Sequence, residues 1–75
     1  MRRQLTAIIE KGEKGRYVAL CPEFDIASQG ETIEQAKANL KEAVSLFLEC
    51  ASKEEIQERF QDEIFVTSIE VATLA

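Results

Sequence analysis

An α+β fold of order β-β-β-α-α-β, with a four-stranded mixed sheet carrying helix on one face, is what the patterning of this chain predicts. Three observations carry that expectation. Apolar residues alternate in short early runs and again in one late run. A capping motif opens a long segment whose apolar positions follow the helical period. Gly and Pro stand where the chain must change direction. Residues 1–75 read as one domain, with no linker, low-complexity tract or internal repeat.

The first expected strand is Leu5 to Glu10, with Leu5, Ala7 and Ile9 on one side and Thr6, Ile8 and Glu10 on the other. Gly12 to Gly15 is a charged, glycine-bracketed turn, so Arg16 to Leu20 should return antiparallel. Pro22 ends that strand because it has no amide proton for a ladder. Glu23, Phe24 and Asp25 form a loop, and Ile26 to Gln29 is a short third strand closed by Gly30. Thr32 to Gln35 is a capping box. Beyond it Ile33, Ala36, Leu40, Ala43, Val44, Phe47, Leu48 and Ala51 form a stripe roughly 140° wide, with Leu46 off it on the polar side. Ser52 to Glu55 repeats the capping pattern and opens a shorter helix anchored by Ile56 and Phe60. Ile64 to Ala72 is the last expected strand, parallel to the first through the helical crossover.

One helical layer covers one sheet face. Ile8, Leu20, Ile64 and Val66 are therefore expected to line an uncovered apolar side, although pattern alone does not fix which parity meets the helix. An open face of that kind marks an interface, so the chain is expected to pair with itself as a dimer or tetramer. Size argues the same way. A domain near 75 residues buries only about 60–65% of the surface its unfolded chain exposes, and small domains often recruit a metal, disulfides or a second subunit. With no His and with Cys21 and Cys50 far apart, a metal site is not expected. The two cysteines permit one disulfide, but reduced thiols are the favoured reading. No stretch resembles a signal peptide or reaches the ~20 apolar residues of a membrane helix, so a cytoplasmic protein is expected.

The net charge of −5 is unevenly placed. Residues 1–20 hold five basic and two acidic side chains, whereas residues 21–75 hold four basic and twelve acidic. An acidic body repels the phosphate backbone and suits a basic protein, so direct nucleic-acid binding by this domain is not expected. Acidic solubility is the plainer reading of the same charge.

No residue set points to catalysis. Nucleophilic schemes that need a histidine base are impossible without one, and Cys21 reads as a small strand residue. A divalent-metal nuclease is a third hypothesis, resting on Glu10, Glu23, Asp25 and Glu70 at strand ends, with Glu10 and Glu70 neighbours if the first and last strands pair. Arg2 and Arg3 read as a solvated basic start. No cofactor is expected. Glu23, Phe24 and Asp25 are the candidate partner-binding residues, since an aromatic ringed by charge is a common anchor. Phe24 has a second reading, as a plug folded inward beneath the helix.

At these residues the chain resembles the HicB-like antitoxin family. The resemblance rests on Tyr17-Val18-Ala19, on Pro22-Glu23-Phe24, on the run from Gln29 to Ala36, and on Asn39-Leu40-Lys41-Glu42-Ala43. It covers roughly residues 5–50, and the final strand fits as well. It implies a partial ribonuclease-H-like fold without nuclease activity, oligomerisation, and inhibition of a small basic mRNA-cleaving toxin, HicA. The chain stops soon after its last strand, which implies a short stand-alone member lacking the DNA-binding segment that many such antitoxins append. Ile26 stands where the family's loop carries a Gly. The leading expectation is an antitoxin-type binding protein that masks the toxin's RNA-binding face. The alternative is an orphan oligomeric module, regulatory or structural, with no toxin partner.

Overall fold

The computed structural model describes residues 3–73; Arg2 of the basic start lies outside them. Three strands, β1 (Ile8–Lys11), β2 (Tyr17–Cys21) and β3 (Ile26–Gly30), form an antiparallel sheet in the order β1-β2-β3. Two helices follow, α1 (Ile33–Cys50) and α2 (Lys53–Arg59). The hairpin register pairs Ile8 with Leu20 and Lys11 with Tyr17. Its turn is a single 3-10 turn, Glu13–Gly15, in which Lys14 and Gly15 take φ of 58° and 74°. Two successive left-handed residues reverse the chain tightly, and Gly15 meets that demand without a Cβ clash.

Helix α1 starts where its capping chemistry dictates. The Thr32 hydroxyl accepts from the Gln35 amide at 3.0 Å, and the Gln35 side chain accepts from the Glu31 amide at 2.6 Å. Ser52 caps α2 in the same way, accepting from the Glu55 amide at 3.1 Å. The Asn39 side chain donates to the Gln29 carbonyl at 2.8 Å and ties α1 to β3. Contact there is close. A Cβ on Gly30 would stand 2.6 Å from the Ala36 amide nitrogen, so only glycine lets β3 pass beneath α1.

The core lies between this helix and one sheet face. Ala19, Cys21, Phe24, Ala36, Leu40 and Val44 are buried, with Leu5, Ile9, Tyr17, Ile26, Phe47, Ile56 and Phe60 packed around them. Ile9 sits opposite Ala19 in the ladder, so the residues of odd number in β1 and β2 face the helix. Ile8, Val18 and Leu20 occupy the other face and remain half-buried. On α1, Leu46 is 59% exposed, off the stripe.

The four-stranded sheet expected from sequence is not formed. The sheet has three strands, all antiparallel, and the element order is β-β-β-α-α. Residues 64–72, expected to run parallel to β1, join no ladder. Alternation over this stretch is a local property, whereas pairing needs a strand edge within reach. Phe65 and Ile69 are 85% and 83% exposed, and Val66 and Val71 are also open to solvent. The ribonuclease-H-like sheet implied by the resemblance thus lacks its fourth strand here, and Ile64 and Val66 do not extend the face of Ile8 and Leu20 as ladder partners.

Candidate partner-binding site

The loop between β2 and β3 was expected to present Glu23, Phe24 and Asp25 together. The structure separates them. The Phe24 amide donates to the Cys21 carbonyl at 3.3 Å, closing a turn through Pro22 and Glu23. Asp25 then takes φ of 55°, in the left-handed region that Asp tolerates better than most residues. This tight path turns Glu23 and Phe24 inward and leaves only Asp25 exposed.

Phe24 is the plug of the core. Its ring lies 5.5 Å from that of Phe47 on α1 and 5.2 Å from that of Phe60 after α2, both tilted. Its carbonyl accepts from Arg59 at 2.6 Å, and the same guanidinium covers the Phe47 ring at 4.8 Å. Arg3 covers Phe60 from the other side at 4.5 Å. The Gln61 amide donates to the Glu23 carbonyl at 2.8 Å. The loop therefore anchors α2 and the start of the C-terminal segment.

Glu23 is a buried carboxylate with a full set of donors. The Thr6 amide donates to both oxygens, at 3.1 and 2.9 Å, and the Thr6 hydroxyl donates at 2.7 Å. The Cys21 thiol adds a fourth contact at 3.5 Å. Burial pushes the Glu23 carboxyl up, but the hydrogen bonds, led by the Thr6 hydroxyl, outweigh it and hold the group below its ordinary value. Burial also raises the Cys21 thiol, and the neighbouring Glu23 carboxylate adds to the rise. Cys21 is thus held as a neutral thiol, the opposite of what a nucleophilic cysteine needs. Both cysteines are free, Cys21 buried and Cys50 exposed.

The carboxylates considered for a metal site do not converge. Glu10 lies on β1, Glu70 belongs to the unpaired segment, and Glu23 is saturated by donors. Among the described residues, no three His, Cys, Asp or Glu side chains are grouped to hold a metal ion. No helix among them is long and apolar enough to cross a membrane.

Two surfaces remain. The first is acidic. Asp25 is exposed at the loop that α2 packs against, and Glu54, Glu55 and Glu58 are exposed on α2 itself. Glu49, Asp62 and Glu63 extend the same charge before and after it. The density of acids from 49 to 63 was visible in the sequence; that α2 is held to the β2–β3 loop through Arg59, Phe60 and Gln61 was not. The second surface is a groove of about 320 Å³ between α1 and the segment entering β1. Leu5, Leu40, Val44 and Leu48 form its apolar floor.

Comparison with known proteins supplies a family. No family model matches the chain. A UPF0150 protein of Synechocystis sp. is 54% identical over 50 residues, covering 65% of this chain and 69% of that protein. This chain belongs to the UPF0150 family. The UPF0150 domain here is thus a three-stranded antiparallel sheet under one long helix, with its aromatic plug at the β2–β3 loop.

Proposed function

We propose that this UPF0150 protein is a non-catalytic binding module of the HicB-like type. It engages a small basic HicA-type mRNA ribonuclease and masks that protein's RNA-binding face. The supporting observation is the run of exposed carboxylates on α2 and around it, on a helix tied to the loop that carries the exposed Asp25. Carboxylates on a rigid element occupy positions suited to phosphate and speed the approach of a basic partner. Family membership and the HicB-like motifs from Tyr17 to Ala43 agree with this reading.

The contact surface is accordingly placed on α2 and Asp25. Glu23 and Phe24 support it from within: one ties the loop to Thr6, the other seats Phe60 and α2. The test is co-expression with a HicA-type ribonuclease encoded beside this gene. Growth should be restored by the parent chain. Glu54→Lys with Glu55→Lys and Glu58→Lys should keep the fold by circular dichroism and weaken binding by more than about tenfold, as close charge pairs across interfaces do. Undiminished neutralisation by the reversed variant refutes the acidic-surface assignment. Failure of the parent to bind any such ribonuclease favours the orphan oligomeric module, a reading that the exposed apolar segment 64–72 supports independently.

A further inference from the structure

We infer that residues 61–72 are an exchange arm, which in solution lies in the groove between α1 and the segment entering β1 of a second copy of this chain. The inference goes beyond ribonuclease masking and uses no residue of α2, although Asp62 and Glu63 at the start of the arm also border the acidic surface.

The first argument is size. A compact chain of 8.4 kDa exposes about 4,600 Å², yet this one exposes 6610 Å². The excess, roughly 2,000 Å² per chain, exceeds the ~800 Å² per partner of a standard interface and is of the size that large obligate homodimer interfaces remove from water. Its radius of gyration is 14.7 Å, where about 11 Å is expected for a compact domain of this length. The longest dimension is 49 Å against 28 and 18 Å for the others.

The second argument is pattern. Phe65, Ile69 and Val71 fall on one side of an extended arm, with Thr67 between them, and Val66 on the other. Four large apolar residues two-thirds or more exposed on one short segment are not the scattered surface hydrophobes of a monomer. The groove offers what they lack. It is floored by apolar side chains of α1 and of the segment entering β1, and Leu48, on the α1 stripe, is still 39% exposed there. A second hollow of about 300 Å³ shares Arg3, Leu5 and Leu48 and continues the surface toward Phe60.

Length and charge match as well. The groove is lined by α1 from Lys37 to Leu48, about 17 Å of helix, which takes about five extended residues such as Phe65 to Ile69. The arm carries Asp62, Glu63 and Glu70 and no basic residue. The groove is rimmed by Arg3, Lys37 and Lys41, all exposed. Beside it β1 is an edge strand, with main-chain groups on its outer side that an extended segment can meet. Each chain owns one arm and one groove, so reciprocal exchange closes into a two-fold dimer and leaves neither unpaired.

Light scattering after size exclusion tests this on the full chain. At about 50 µM the parent should elute at twice 8.4 kDa. Phe65→Asp with Ile69→Asp should elute as a single chain with an unchanged circular dichroism spectrum, because neither residue belongs to the core. Reversing the groove rim (Lys37→Glu, Lys41→Glu) or the arm (Glu63→Lys, Glu70→Lys) should raise the dimer dissociation constant more than tenfold, and combining both sets in one chain should restore it. A parent that stays a single chain overturns the inference. So does a dimer that survives the two aspartates, which would place the interface on the Ile8 and Leu20 face instead. Failure of the combined reversals to restore pairing overturns the arm–groove match. Ribonuclease neutralisation is read separately, so neither result depends on the other.

Discussion

β2 and the segment from Ile64 to Ala72 are both apolar-rich runs that read as strands, and they meet opposite fates. Tyr17–Cys21 lies at the centre of the sheet, with Ala19 and Cys21 sealed beneath α1. The later segment joins no ladder and leaves Phe65 85% exposed. Alternation thus specifies a surface that suits a strand; it does not specify a partner. β2 has neighbours because two tight turns return the chain to it within a few residues on either side. The C-terminal segment departs from Phe60 and Gln61, which the β2–β3 loop holds in place, and nothing in its local pattern directs it back to an edge.

The contrast breaks most sharply at two phenylalanines. Phe24→Ala removes a ring that touches both Phe47 and Phe60 and should cost about 3–5 kcal/mol, enough to leave a domain of this size largely unfolded. Phe65→Ala should change the stability of the single chain by no more than about 0.5 kcal/mol. Urea melts of both variants, taken at a concentration where the chain is a monomer, check the pair. Equal losses would mean that the arm packs on its own domain.

A smaller effect is expected at the closest approach in the fold. Gly30→Ala sets a methyl against the Ala36 backbone and should cost at the upper end of the about 1–3 kcal/mol typical of overpacking. Thermal melting should show a drop of about 10 °C or more, given that 1 kcal/mol moves a domain this small by about 4–8 °C. Gly15→Ala, where space is open but φ is 74°, should cost less.

The smallest effect depends on pH. The Glu23 carboxyl is held below its ordinary value of 4.5 in the fold. Its contribution is therefore complete above that value, and it is lost as pH falls through 4.5 toward the folded value. Cys21 works in the other direction: its raised thiol contributes fully below 9.0, and the contribution is lost as pH rises past it. Glu23→Gln keeps one acceptor for Thr6 and should cost near the lower end of about 1–3 kcal/mol at pH 7. The gap between parent and variant should narrow as pH falls below 4.5, as read from urea midpoints at pH 7 and pH 3.5. A gap that widens in acid would show that Glu23 is not the anionic hub of the loop.

How much of this was legible depended on the range of the interaction that decides it. The helix starts were legible because Thr32 and Ser52 act on amides three residues away. The stripe on α1 was legible for the same reason, and Leu46 fell outside it as its spacing requires. The loop at Glu23 was legible only as a turn. Its inward face depends on Thr6, 17 residues away, and on Arg59, 35 residues from Phe24. The odd parity of β1 and β2 meeting the helix was likewise open until α1 was seen to lie on Ala19 and Cys21.

By itself, then, the sequence determined the first three strands, the turns, both helix caps and the apolar face of α1, since each follows from steric and hydrogen-bonding preferences acting over one to four residues. Only the tertiary structure decided that Glu23 and Phe24 belong to the interior, that α2 is held to the β2–β3 loop, and that the last apolar segment joins no ladder of the sheet. Those outcomes depend on which distant groups meet, and a periodic pattern carries no address for its partner.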